Sequence, residues 1–118
     1  MLCILGRDFE DHSFLESKNM NTSQITIVCL IRAKQATKHQ VKCELSNIAQ
    51  MTHKESGNIN YDLHVSVEED CLFIIYENWR NQAALDKHMS QQYLKDFLAK
   101  ESELLEWPID GKICRIIK

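Results

Sequence analysis

The stretch QITIVCLIRA, residues 24–33, constrains the fold more than any other part of the chain. Successive strand residues point to opposite faces, and here both faces are apolar: Ile27 and Ile31 on one, Val28 and Leu30 on the other. Such a run is stable as a strand only where both faces are covered. CLFIIYENW, residues 71–79, repeats the property, with Phe73 and Ile75 on one face and Leu72 and Ile74 on the other. A lone sheet with helices on one side would instead alternate apolar with polar, so a second layer is required. For a chain of 118 residues the simplest second layer is another copy of itself. The expectation is a homodimer with sheets packed face to face.

The remaining elements follow from local signals. Thr37 with Gln40 three residues later reads as a capping box that opens a helix, and Val41, Leu45, Ile48, Ala49 and Thr52 recur at helical spacing along its inner face. Ser56-Gly57 offers a left-handed stop. NINYDLHVSV then alternates, and Glu68–Asp70 forms a three-residue loop into the second two-sided strand. That register sets Tyr61 opposite Glu77, Leu63 opposite Ile75 and Ile59 opposite Trp79. Asn81 caps a helix with Ala84, Leu85 and His88 inward; Ser90 starts a second helical segment with Leu94, Phe97 and Leu98 inward; GKICRIIK is a final strand. The order β-α-β-β-α-β is ferredoxin-like, in the α+β class.

Residues 1–23 show no sustained period and read as a poorly ordered or variable extension, with Met20 a second candidate start; the domain runs from 24 to 118. A net charge of -3 provides no basic footprint for nucleic acid, and the apolar opening Met1–Leu5 is far too short for a membrane span. The chain reads as cytoplasmic. Its five cysteines are an odd number without a CxxC pair and fall mostly in apolar segments, so they read as reduced. His39 and Cys43 lie four apart on a helix but have no third ligand nearby, and no metal is assigned.

ESGNINYDLHVSVEEDCLFIIYENW followed by AALDKHMSQQYLKDF resembles the antibiotic biosynthesis monooxygenase family, over about residues 24–118. The shared pattern is E-x-G-x-x-x-Y before the hairpin, E-x-W after it, and a helical His before an aromatic segment. The resemblance implies a dimeric α+β barrel and a monooxygenase that needs neither metal nor flavin. Relatives that oxidise aromatic polyketides use an asparagine four before the tryptophan and a tyrosine six after it, where this chain has Ile75 and Leu85. Relatives that degrade haem use an asparagine on the first strand and a later helical histidine, where this chain has Cys29 and Leu98, which disfavours haem chemistry.

Alternation and helical spacing bring Phe73, Ile75, Glu77 and Trp79 to the face approached by Leu85 and His88. A carboxylate, an imidazole and aromatic rings thus converge in an apolar setting. An oxygenase without a cofactor must make its substrate reduce O2, which a phenol does far more readily as its anion, so a base is the necessary part. The expected catalytic pair is His88, taking the hydroxyl proton, and Glu77, orienting or polarising it. Trp79, Tyr61, Phe73, Ile75, Cys29 and Leu85 are the expected substrate-binding residues, and the substrate is a quinol or polycyclic phenol. The competing reading is a non-catalytic dimeric small-molecule-binding or stress-response protein with the same pocket.

Overall fold

The computed structural model describes residues 23–117. β1 (Ile25–Arg32) passes through a 3-10 turn (Gln35–Thr37) into α1 (Lys38–Thr52), followed by β2 (Asn58–Val65), β3 (Leu72–Trp79), α2 (Gln82–Met89), α3 (Gln92–Leu98), the short α4 (Glu101–Leu104) and β4 (Asp110–Cys114). The four strands form one antiparallel sheet in the order β2-β3-β1-β4. This is the ferredoxin-like α+β arrangement that the element order implies. The expected extension, residues 1–23, lies outside the described residues except for Ser23. Among the described residues no helix is long and apolar enough to cross a membrane.

The helices cover one face of the sheet. Ile25, Ile27 and Ile31 of β1 and Phe73, Ile75 and Trp79 of β3 are buried against Val41, Leu45 and Ile48 of α1, Leu85 of α2, and Leu94 and Phe97 of α3. At about 25 cal/mol per Å² of apolar area, this single layer of side chains is the main source of stability. The opposite sheet face carries Val28 and Leu30 beside Leu72, Ile74 and Tyr76, paired in register as Val28 with Tyr76 and Leu30 with Ile74. Leu30 and Tyr76 on that face are 36% and 44% exposed.

The expected hairpin register holds at Tyr61–Glu77 and Leu63–Ile75. It fails at Ile59. The partner of Trp79 is Asn58, and a bulge between Asn58 and Asn60 leaves Ile59 unpaired and 55% exposed. The Asn58 amide stitches the bulge, donating to the carbonyls of Asn60 at 2.9 Å and Asn78 at 3.4 Å. The loop is also longer than the expected Glu68–Asp70, because Ser66 Oγ accepts the N–H groups of Glu68 and Glu69 and closes the turn earlier.

Three element boundaries depart from expectation. Thr37 makes no capping bond; its hydroxyl donates to the Leu104 carbonyl at 2.6 Å, and Gln40 bonds Glu44 instead of reaching back. Ser90 closes α2 by donating to the Lys87 carbonyl at 2.7 Å, and α3 begins after Gln91. β4 starts at Asp110 and ends at Cys114, shorter than GKICRIIK. At Thr37 a tertiary contact takes the hydroxyl that the local cap would have used, whereas at Ser90 a local bond back to its own helix does so.

Gly57 is not a left-handed stop, for no described residue has positive φ. It is required by contact: a Cβ there would lie 2.2 Å from the Ala84 Cβ on α2. Gly57→Ala is therefore expected to destabilise the fold by about 1–3 kcal/mol, read as a lower urea midpoint. Ala84→Gly in the same chain should recover part of that loss; simple additivity of the two substitutions would show that the contact is not the cause.

Candidate active site

Between the sheet and the helices lies a cavity of about 60 Å³, lined by Cys29, Tyr61, Ile75 and Glu77 from the strands and by Leu85, His88, Met89, Leu94, Phe97 and Leu98 from the helices. Strand alternation carries Ile75 and Glu77 to it. One helical turn separates Leu85 from His88 on the inner side of α2, where Asn81 fixes the helix start by accepting the Ala84 N–H at 2.9 Å. Phe73 and Trp79 do not line the cavity. Phe73 is packed in the core, and fully buried Trp79 lies behind His88 with ring centroids 4.5 Å apart.

Glu77 is a carboxylate buried in apolar surroundings. Its Oε1 accepts the Trp79 indole N–H at 2.7 Å and its Oε2 faces the Cys29 thiol at 3.9 Å. Burial outweighs these two bonds and pushes its pKa up to about 7. Burial and the neighbouring Glu77 also raise the Cys29 thiol well above its ordinary value, so it stays protonated.

The expected pairing of His88 with Glu77 is not what the structure shows. His88 Nδ1 lies 2.9 Å from Oε2 of Glu55, while Glu77 is engaged by Trp79. The Tyr93 hydroxyl donates to the same Glu55 oxygen and lies 3.1 Å from Thr52 Oγ1 at the end of α1. Burial lowers the pKa of His88 and Glu55 opposes that, with burial the larger effect, so the ring is neutral near pH 7. A neutral imidazole at an apolar cavity can accept a proton, and the nearby carboxylate stabilises the imidazolium that results.

Glu55 and Tyr93 were thus missed as site residues by reasoning from faces. Glu55 stands in the loop between α1 and β2, where no period assigns a side, but it opens the E-x-G-x-x-x-Y pattern and that was its available signal. Tyr93 is half-buried on α3, beside the inward Leu94. Among the described residues no three His, Cys, Asp or Glu side chains gather as a metal site.

The sequence profile of the family described as antibiotic biosynthesis monooxygenase matches residues 24–100. The Bacillus subtilis protein YcnE, whose name assigns it provisionally to the monooxygenases, is 31% identical over 86 residues, covering 73% of this chain and 90% of its own length. In three dimensions the chain is similar to PA3566 from Pseudomonas aeruginosa, with TM-score 0.78 and 25% identity over 85% of this chain and 99% of that one. It is also similar in fold to Rv0793 from Mycobacterium tuberculosis, with TM-score 0.77 and 21% identity over 81% of this chain and 97% of that one.

Proposed function

The chain belongs to the antibiotic biosynthesis monooxygenase family, and from that premise we propose that it is a monooxygenase oxidising a quinol or polycyclic phenol with O2, with no metal or flavin. The observation that carries this reading is the neutral His88 at the wall of an apolar cavity, backed by Trp79 and anchored on Glu55. In the proposed first step the substrate O–H breaks, its proton passes to His88 Nε2, and the phenolate remains in the apolar cavity. The phenolate gives one electron to O2, and the resulting superoxide and ring radical combine to a ring peroxide, which takes back the proton from the His88 imidazolium; its O–O bond then breaks as the proton on the same carbon leaves, giving a ring carbonyl and water. Tyr61, Ile75, Leu85 and Cys29 line that cavity and would contact the ring. At about 60 Å³ the cavity is smaller than a ring system, so binding one requires lining side chains to shift, the partly buried Met89 and Leu98 among them.

The test is oxygen uptake with naphthoquinols and anthrones in the presence of a metal chelator. Turnover is the expected result. Saturable ligand binding without oxygen uptake would favour the binding-module reading instead.

The reading includes a two-fold dimer formed through the open sheet face. Val28, Leu30, Leu72, Ile74 and Tyr76 make a continuous apolar strip there, with Leu30 and Tyr76 substantially exposed in the single chain. Leu30→Glu or Ile74→Lys is expected to yield monomer or aggregate in sedimentation experiments. A soluble, well-folded monomer of the unmodified chain at micromolar concentration would overturn the dimer.

A further inference from the structure

We propose that Glu55 is a positioning residue: it holds neutral His88 as the tautomer protonated on Nδ1, so that Nε2 is the nitrogen left with a free lone pair for the substrate. The proposal rests on the reading of His88 as the base. A carboxylate only accepts hydrogen bonds, so the 2.9 Å contact between His88 Nδ1 and Glu55 Oε2 puts the ring proton on Nδ1. Nε2 has no hydrogen-bond partner among the described residues. Trp79 at 4.5 Å and Tyr61 at 5.8 Å between ring centroids pack beside the imidazole.

Glu55 is itself held. Tyr93 donates to the oxygen that His88 uses, and Thr52, fully buried, shares the Tyr93 hydroxyl. One hydrogen-bonded chain thus joins the end of α1, the loop after it, α2 and α3. The second carboxylate oxygen, Oε1, is buried without a partner among the described residues. A bare buried carboxylate oxygen costs stability, so this arrangement is not the one that packing alone would favour. What a negative charge supplies at this point, and a neutral isostere does not, is stabilisation of the imidazolium formed when Nε2 takes a proton.

His53 provides an internal reference. Its Nε2 lies 2.8 Å from the Tyr61 carbonyl, which also only accepts, so His53 is protonated on Nε2. The two rings carry opposite tautomers in one chain.

The experiment is nitrogen NMR of the full chain labelled with 15N-histidine, in alkaline buffer where the rings are neutral. His88 is expected as the Nδ1–H form and His53 as the Nε2–H form. The titratable groups around the His88 ring are Glu55 after α1, Tyr61 on β2 and Tyr93 on α3, with Glu77 of β3 on the same cavity. Glu55→Gln removes one charge from this set, so the His88 titration and the acid limb of kcat/KM should both move to lower pH by about one unit or more. A base weaker by about one unit lowers kcat up to about tenfold, with KM little changed, and Glu55→Asp should restore part of both effects. A wild-type His88 protonated on Nε2 would overturn the proposal, as would a Glu55→Gln protein with unchanged tautomer and titration. The wild-type spectrum needs neither a variant nor a substrate. The expected tautomer in a protein that oxidises nothing would leave the role of Glu55 in holding His88 standing and sink the oxidation reading alone.

Discussion

Replacing His88 by alanine is expected to slow quinol or anthrone oxidation by about a hundredfold or more, the usual scale for a positioned base. If His88 is the base, the effect should appear in kcat, because the imidazole would act on the proton being transferred while Tyr61, Ile75 and Leu85 still line the cavity. His88 is buried, so alanine also leaves a void against Trp79 and strands Glu55 without its imidazole partner. A fall in melting temperature is therefore expected as well. Two controls separate stability from chemistry: His88→Gln fills the space without supplying a base and should be as slow, and added imidazole should restore some rate to the alanine variant. Oxidation unchanged in folded His88→Ala and Glu77→Gln proteins would assign the pocket to binding alone.

The second large effect concerns Glu77 and pH. Its pKa is raised from 4.5 to about 7 by burial, so between those values the folded chain keeps a proton that the unfolded chain has released. Folded protein binds more protons there, and stability must decline as pH rises through the window. A displacement from 4.5 to about 7 corresponds to up to about 3 kcal/mol. His88 slopes the other way. Its lowered pKa contributes stability above its unfolded value that is lost as pH falls. The difference between wild type and Glu77→Gln cancels the His88 contribution. Glutamine keeps an oxygen for the Trp79 indole N–H and cannot ionise, so the variant should gain on wild type by up to about 3 kcal/mol from pH 5 to pH 8 in urea unfolding. Parallel stability profiles for the two proteins would mean that Glu77 is ionised at ordinary pH and that the indole bond outweighs burial. A smaller loss of oxidation than in His88→Ala is expected from the same variant, with a displaced pH optimum.

Much of this architecture is written in short-range pattern. Two-residue alternation alone puts Phe73, Ile75, Glu77 and Trp79 on one side of β3, and the observed burial of all four follows from it. The helical period does the same for Val41, Leu45 and Ile48, and for Leu85 with His88. The Tyr61–Glu77 register was readable because a slip by one residue would have exposed the apolar face of both strands.

What could not be read is which polar group meets which. His88 could have paired with any carboxylate near the cavity. Its partner is Glu55, 33 residues away and in a loop, because the Asn58 bulge, the packing of Gly57 under Ala84 and the Tyr93 hydroxyl together bring that carboxylate in. The same competition turned Thr37 away from its own helix to Leu104, and left Trp79 behind the imidazole instead of beside the substrate space. Sequence pattern determines faces, because burying apolar area is non-directional and needs only the right side of an element. Hydrogen bonds are directional to a few tenths of an ångström, and only the assembled tertiary structure decides which donor reaches which acceptor.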